Sequence, residues 1–234
     1  EAHLADNAVT LAKMAGGTDG NIISFDASGD PVAIATGDDG QVLTSAGAGQ
    51  PPAFETVSAA AGDYEFVSTA AIGTTTTIEV NNMAAGYDYI VQFEAFAPET
   101  DDEELWMRFS DDAGSTFESA SDDYQWGLQA EGTHLADSSD AQIQLSRTGL
   151  GDDSNTVSSI SITLVNPNAS SEKTTAYWNG FYMNDDSTPK ICEVVGGGAF
   201  RQGTNAVEDV QFLWEAGSTF KAQGDVTVWR RKRS

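Results

Sequence analysis

The 234-residue sequence predicts an all-β protein, a jelly-roll-like antiparallel β-sandwich preceded by an extended, turn-rich N-terminal segment. Its apolar residues fall in short alternating runs, and clusters of Gly, Ser, Thr, Asp and Asn separate those runs. No long run keeps helical period. Short strands joined by frequent turn signals and lacking long helices are the pattern of a sandwich or barrel.

Residues 1–56 read as a stem. Leu4, Ala8, Leu11 and Ala15 follow a 4-3-4 spacing that fits two helical turns with an apolar seam, too short to be stable alone. Glycine-rich turns follow, at Gly16-Gly17, Gly20, Ser28-Gly29, Asp39-Gly40, Gly47 and Gly49. Between them stand the apolar scraps Ile22-Ile23-Ser24-Phe25, Val32-Ala33-Ile34-Ala35 and Val42-Leu43. None is long enough to build a core, so one copy is not expected to fold by itself. Several identical chains wound together would bury these residues; a disordered linker is the competing reading.

Residues 4–55, LADNAVTLAKMAGGTDGNIISFDASGDPVAIATGDDGQVLTSAGAGQPPAFE, resemble a segment that recurs in tailed-bacteriophage fibre and spike proteins and leads into a distal head. The resemblance implies a trimeric shaft and a virion location. It leaves the position on the virion open. The chain opens on Glu1 rather than methionine, which leads us to expect a longer polypeptide.

Residues 57–234 read as the sandwich head. Tyr87, Tyr89, Val91, Phe93 and Ala95 alternate with Asp88, Ile90, Gln92, Glu94 and Phe96, and apolar members in both sets predict a strand at least partly covered on both faces. Ile160, Ile162 and Leu164 alternate with Ser161 and Thr163, which gives one wet face. In KTTAYWNGFYM, Ala176, Trp178, Gly180 and Tyr182 share one face, and Tyr177, Asn179, Phe181 and Met183 the other. Further strands are expected at Tyr64–Val67, Thr75–Val80, Leu105–Ser110, Tyr124–Ala130, Ala141–Ser146, Lys190–Val195, Val210–Trp214 and Val226–Arg230, about eleven in all. The ending FLWEAGSTFKAQGDVTVWRRK resembles the last two strands of a sandwich module that closes phage virion proteins, although Trp229 and Arg230 replace its usual Tyr-Gly.

RFSDDAGSTF, Arg108 to Phe117, matches Ser-x-Asp-x-Gly-x-Thr-aromatic, the Asp-box that sialidases repeat. A single copy does not indicate that enzyme. It predicts a hairpin lock, with strands at Leu105–Phe109 and Phe117, and Asp112 and Gly114 at the tip.

With 36 acidic against 11 basic residues the formal charge is −25, which disfavours nucleic acid and anionic membrane surfaces as partners. The terminal run Arg230, Arg231, Lys232, Arg233 is expected to balance acidic neighbours rather than to read a polyanion. Cys192 is the sole cysteine, so the chain holds no internal disulfide and no cysteine-based zinc site. No apolar run approaches the roughly 18 residues of a membrane span, so no membrane insertion is expected.

Catalytic residues are not expected. His3 lies in the stem, and His134 reads as a surface-loop residue without a Gly-x-Ser-x-Gly elbow to serve it. Val194-Val195-Gly196-Gly197-Gly198 lacks the lysine and helix of a phosphate loop and reads as a strand end followed by a glycine loop. A glycosidase needs two carboxylates, and many pairs are on offer: Asp101-Asp102-Glu103-Glu104, Asp111-Asp112, Asp122-Asp123, Asp152-Asp153 and Asp185-Asp186. Their abundance suits a solvated acidic surface. No cofactor is expected; structural calcium is an open option at such loops, with no ligands named by the spacing. Trp106, Trp126, Trp178, Trp214 and Trp229 supply rings for the core or for stacking on saccharides.

The expectation is a non-enzymatic homotrimeric fibre or spike subunit that contacts other virion proteins and attaches to a host-surface glycan or protein. A head or collar decoration fibre, a glycan-cleaving tail enzyme and a bacterial surface adhesin are the alternatives.

Overall fold

A computed structural model describes residues 16–57, 63–147, 149–152, 158–184, 190–201 and 206–233. The helix expected around Leu4 to Ala15, and His3, lie outside the described residues. The chain divides into two compact units, Glu1–Ser58 and Ala59–Ser234.

The first unit holds two antiparallel hairpins, β1 (Ile22–Phe25) with β2 (Pro31–Ile34) and β3 (Gln41–Thr44) with β4 (Ala53–Thr56). Aspartate chemistry makes the first turn: Asp26 Oδ1 accepts the N–H of Ser28 at 2.8 Å and of Asp30 at 3.0 Å, while Gly29 takes φ 83°. Each hairpin has only four residues a side. Among residues 16–57 none is buried, and Ile23 and Phe25 are 59% and 63% exposed.

The second unit is all antiparallel β. Its strands are β5 (Tyr64–Ala71), β6 (Thr77–Val80), β7 (Tyr87–Phe96), β8 (Leu105–Ser110), β9 (Tyr124–Ala130) and β10 (Thr133–Asp140). They continue with β11 (Ile143–Gln144), β12 (Ser158–Val165), β13 (Thr175–Met183), β14 (Ile191–Phe200), β15 (Asp209–Trp214) and β16 (Asp225–Lys232). One sheet has the order β10-β9-β14-β13-β12-β7-β16-β5 and the other β11-β8-β15-β6.

The connectivity is that of a jelly roll. β8 pairs with β11, β7 with β12, β6 with β15 and β5 with β16, so the chain doubles back as one long ribbon. Pairing of β16 with β7 and of β15 with β8 rolls that ribbon into two layers. Two inserted hairpins, β9–β10 and β13–β14, join through β14–β9 and widen the larger sheet to eight strands.

The inward faces meet in an aromatic core. Phe93 lies edge-on to Phe212 at 4.8 Å, and Trp214 packs on Phe220 at 4.9 Å. Phe109, Tyr124 and Phe200 form a second cluster, and all these side chains are at most 2% exposed. Such rings bury the most apolar area per residue and favour edge-to-face contacts.

The expected double cover of β7 holds in part, since Asp88 on its outer face is buried. Ala95, at φ 55°, is an extra residue in a bulge opposite Ser158–Ser159, so Phe96 turns inward after Tyr89, Val91 and Phe93, while Ile90 and Gln92 stay half-buried on the outer face. Two expectations are corrected. β14 runs through Gly196-Gly197-Gly198 rather than ending before them. A Cβ on Gly196 would stand 2.2 Å from the Trp178 ring, and one on Gly198 3.0 Å from Ile143, so two of these glycines make room for core side chains. His134 sits in β10, paired with Gln129, not in a loop; THLADSSD is too polar to read as a strand, because it is an edge with a single neighbour.

Candidate functional site

The Asp-box is a locked turn. Asp112 Oδ1 accepts from the Thr116 N–H at 2.9 Å and the Ser110 hydroxyl at 2.7 Å, and Oδ2 accepts from the Thr116 hydroxyl at 2.7 Å. The Thr116 and Ser110 bonds hold its carboxyl down at about 2. Gly114 takes φ 76° and donates its N–H to Ser110 Oγ at 3.0 Å. The lock is not a hairpin tip, however. After one bond from Glu118 N to the Phe109 carbonyl, the chain leaves β8 and crosses to β9 in the other sheet.

Several of the other acidic residues also accept hydrogen bonds within the fold. Glu103, buried, accepts from the Thr100 hydroxyl at 2.9 Å and the Ala216 N–H at 3.1 Å. Asp123 accepts the Ala120 N–H, Asp101 the Asp152 N–H at 2.7 Å, and Glu104 the Trp106 indole at 3.1 Å. Asp153, Asp185 and Asp186 lie outside the described residues. Among the described residues no group of three or more His, Cys, Asp or Glu converges to hold a metal ion.

The terminal basic run pairs with acids across β16. Arg230 Nε meets Glu65 at 2.7 Å, while Arg231 and Arg233 meet the two oxygens of Asp88 at 2.6 and 2.8 Å. Burial pushes the Asp88 carboxyl up, but the two arginines and the Asn166 N–H outweigh it and leave the group below its ordinary value.

A groove of about 1600 Å³ opens at the end of the larger sheet beside the β9–β10 turn. Glu131 and Gly132 take φ 52° and 73°, the handedness of a tight two-residue hairpin loop. Glu131 is gripped there by Arg147 at 2.6 Å and by the Cys192 thiol at 2.6 Å. The turn thus holds Glu131 in a backbone conformation that is uncommon outside glycine.

The outer face of the eight-stranded sheet carries an uncharged band. One cross-strand row begins with His134, Gln129, Val195 and Asn179, and continues through Ser161 and Gln92 to Thr227 and Thr69. The next begins with Ala136, Gly127, Gly197 and Tyr177, and continues through Thr163 and Ile90 to Trp229 and Phe66. None of these sixteen positions is Asp, Glu, Lys or Arg, in a chain where those types form 20%. The flanking row, by contrast, carries Glu193, Glu94 and Asp225. Tyr177 and Val195 are each 55% exposed, and Trp229 packs edge-on to Phe66 at 5.4 Å.

Of the five tryptophans, Trp178 and Trp214 are buried, and Trp126 leans on the core while donating to Asp140 at 2.9 Å. Trp106 is half-buried in β8, and Trp229 lies on the outer face with its indole donating to Gln92 at 3.1 Å. The sequence offered tryptophans as ligand-stacking candidates, whereas the most exposed ring in the middle of this face is Tyr177. The alternation of KTTAYWNGFYM already placed Tyr177 opposite Trp178; what it lacked was which face meets solvent. No protein-family model matches the chain, and no curated protein matches it.

Proposed function

We propose that the chain is a homotrimeric subunit of a bacteriophage fibre or spike, with residues 1–56 as the stem and the jelly-roll unit as the head that attaches to the host cell surface. The observation that carries this reading is the state of the first unit. Ile22, Ile23, Phe25, Val42 and Leu43 are all exposed in the single chain, on strands only four residues long. Each side chain would contribute up to about 1.5–3 kcal/mol on full burial, and sister copies are the nearest source of that burial. The resemblance of residues 4–55 to phage shaft segments supports three as the number of copies and the virion as the place.

Three heads on one stalk convert weak contacts into avid attachment. Binding, not turnover, is the mechanism we assign. The test is the solution mass of the intact chain and of a chain lacking residues 1–55. The intact chain is expected to be a trimer and the truncated one a folded monomer; an intact chain that stays a compact monomer overturns the assignment. Labelling of intact virions then separates a tail position from a head or collar decoration.

A further inference from the structure

We propose that the uncharged band on the outer face of the eight-stranded sheet is the attachment surface, and that its ligand is a neutral glycan, a chain of uncharged hexoses. The inference rests on the reading of the head as the attachment unit. Charge selects the class of partner. In a chain of net charge −25, the band holds no Asp, Glu, Lys or Arg, while Glu193, Glu94 and Asp225 line one border. Phosphorylated, sialylated or uronate-bearing chains are repelled by that border and by the whole molecule. A cationic partner would be drawn to the carboxylate row and away from the band.

The chemistry within the band suits hydroxyl-rich rings. Tyr177 presents an exposed aromatic ring on which the C–H side of a sugar can stack. On the adjacent row Gln129 and Asn179 are exposed amides, each able to donate and accept toward sugar hydroxyls. Beside Tyr177 the sheet is bare across Gly197 and Gly127 as far as Ala136, a floor of about 14 Å at ordinary strand spacing.

Packing does not require those two glycines. A Cβ on Gly197 would meet only the Ala176 carbonyl at 3.5 Å, and one on Gly127 would come no closer than 3.6 Å, to Ala136. Neither has positive φ. Glycine weakens a strand, so its use at open, unstrained positions marks a surface that something approaches closely. Gly180 and Gly196 differ, because a Cβ there would fall 2.3 Å from the Ser159 carbonyl and 2.2 Å from Trp178. Gly197 also floors a depression of about 580 Å³ walled by Gln125, Ala136, Ser138 and Ala199, with Asp137 as its one carboxylate.

The test titrates the intact chain with maltohexaose, laminarihexaose and mannohexaose as neutral probes and hexagalacturonate as the anionic one, by calorimetry and intrinsic fluorescence. At least one neutral probe is expected to bind at millimolar concentration or below, and hexagalacturonate is not. Tyr177→Ala and Asn179→Ala should each weaken binding about tenfold or more, with melting temperatures near the parent's because both side chains are exposed. Three results overturn the proposal: no binding of any neutral probe, preference for hexagalacturonate, or affinity untouched by both substitutions. Dissociation of the assembly by Tyr177→Glu would overturn it as well, by showing that the face is covered by sister copies. The mass of the same samples separates the two claims. A trimer that ignores the sugars removes only the glycan assignment, whereas a monomer removes the fibre reading.

Discussion

Alanine at Gly196 and alanine at Gly197 should have opposite effects, although the residues are neighbours in one strand. At Gly196 the new methyl would lie 2.2 and 2.4 Å from two atoms of the Trp178 ring and 2.9 Å from the Gly127 carbonyl. Trp178 is 1% exposed, so neither the ring nor the backbone can step aside cheaply. Overpacking of this kind costs about 2–3 kcal/mol, which for a domain of this size lowers the melting temperature by about 4–12 °C. At Gly197 the methyl meets one carbonyl at 3.5 Å, an ordinary contact. Reduced freedom of the unfolded chain should then stabilise by about 0.4–1 kcal/mol. Thermal and urea unfolding of the two variants measure the difference directly, with near-UV circular dichroism reporting on Trp178. Equal melting temperatures, or Gly197→Ala as the less stable, would show that β14 does not carry its glycines in this register.

Tyr124→Phe removes a hydroxyl that accepts the Phe109 N–H at 2.8 Å and donates to the Glu118 carbonyl at 3.0 Å. The orphaned, buried Phe109 amide should cost about 1–3 kcal/mol, read as a lower urea midpoint at unchanged slope. Stability should also peak on the acid side of neutrality. Glu118, raised by burial and by the charges of Asp111, Asp123 and Asp112, and Glu215, raised by burial and by Glu104, Glu103 and Asp102, are costly to ionise, so protonating them relieves the fold. Asp88 and Asp112 are depressed, and their contribution, complete above the unfolded value of about 4, is lost as pH falls through their folded values, about 2 for Asp112. Melting temperature should therefore rise modestly as pH falls from 7 toward the ordinary carboxylate range and drop again below about 4, as Asp88 and Asp112 lose their charge. Asp88→Asn should flatten that acid limb; a profile that is flat to pH 2 would refute the assignment of these two carboxylates.

The sandwich was legible because its inward residues are large and regularly spaced. Ile160, Ile162 and Leu164, or Ala176, Trp178 and Tyr182, declare a buried face by alternation alone. Three features were hidden for separate physical reasons. A bulge is invisible to a period-two reading, so Phe96 counted as evidence of a second covered face on β7. Glycines carry no side chain to mark a strand, and Gly196 is explained only by the Trp178 ring across from it. β10 is an edge, and edges are held by backbone bonds that polar residues supply as well as apolar ones. The Asp-box was legible in its chemistry and not in its topology: Ser110, Asp112, Gly114 and Thr116 fix the turn itself, while the path beyond it depends on Tyr124 anchoring Glu118 from the other sheet. The outer band could not have been found from any one segment, since its residues are drawn from eight strands spread from Phe66 to Trp229.

The last strand shows how the charge of this chain is tied to its closure. β16 is the final element in sequence, yet it lies inside the larger sheet, between β7 and β5. The roll is therefore incomplete until residues more than a hundred positions apart pair, the kind of distant contact that makes β folds slow to form. Four of the eleven basic residues of the whole chain stand at this one place, from Arg230 to Arg233. Their partners are on both neighbours: Glu65 in β5 for Arg230, and Asp88 in β7 for Arg231 and Arg233. Arg230 also lies 4.3 Å over the ring of Tyr87. The arginines are partly exposed, so each pair is individually modest. Collectively they give the closing strand a charge opposite to that of Glu65 and Asp88 on the strands it enters between, which favours its pairing there.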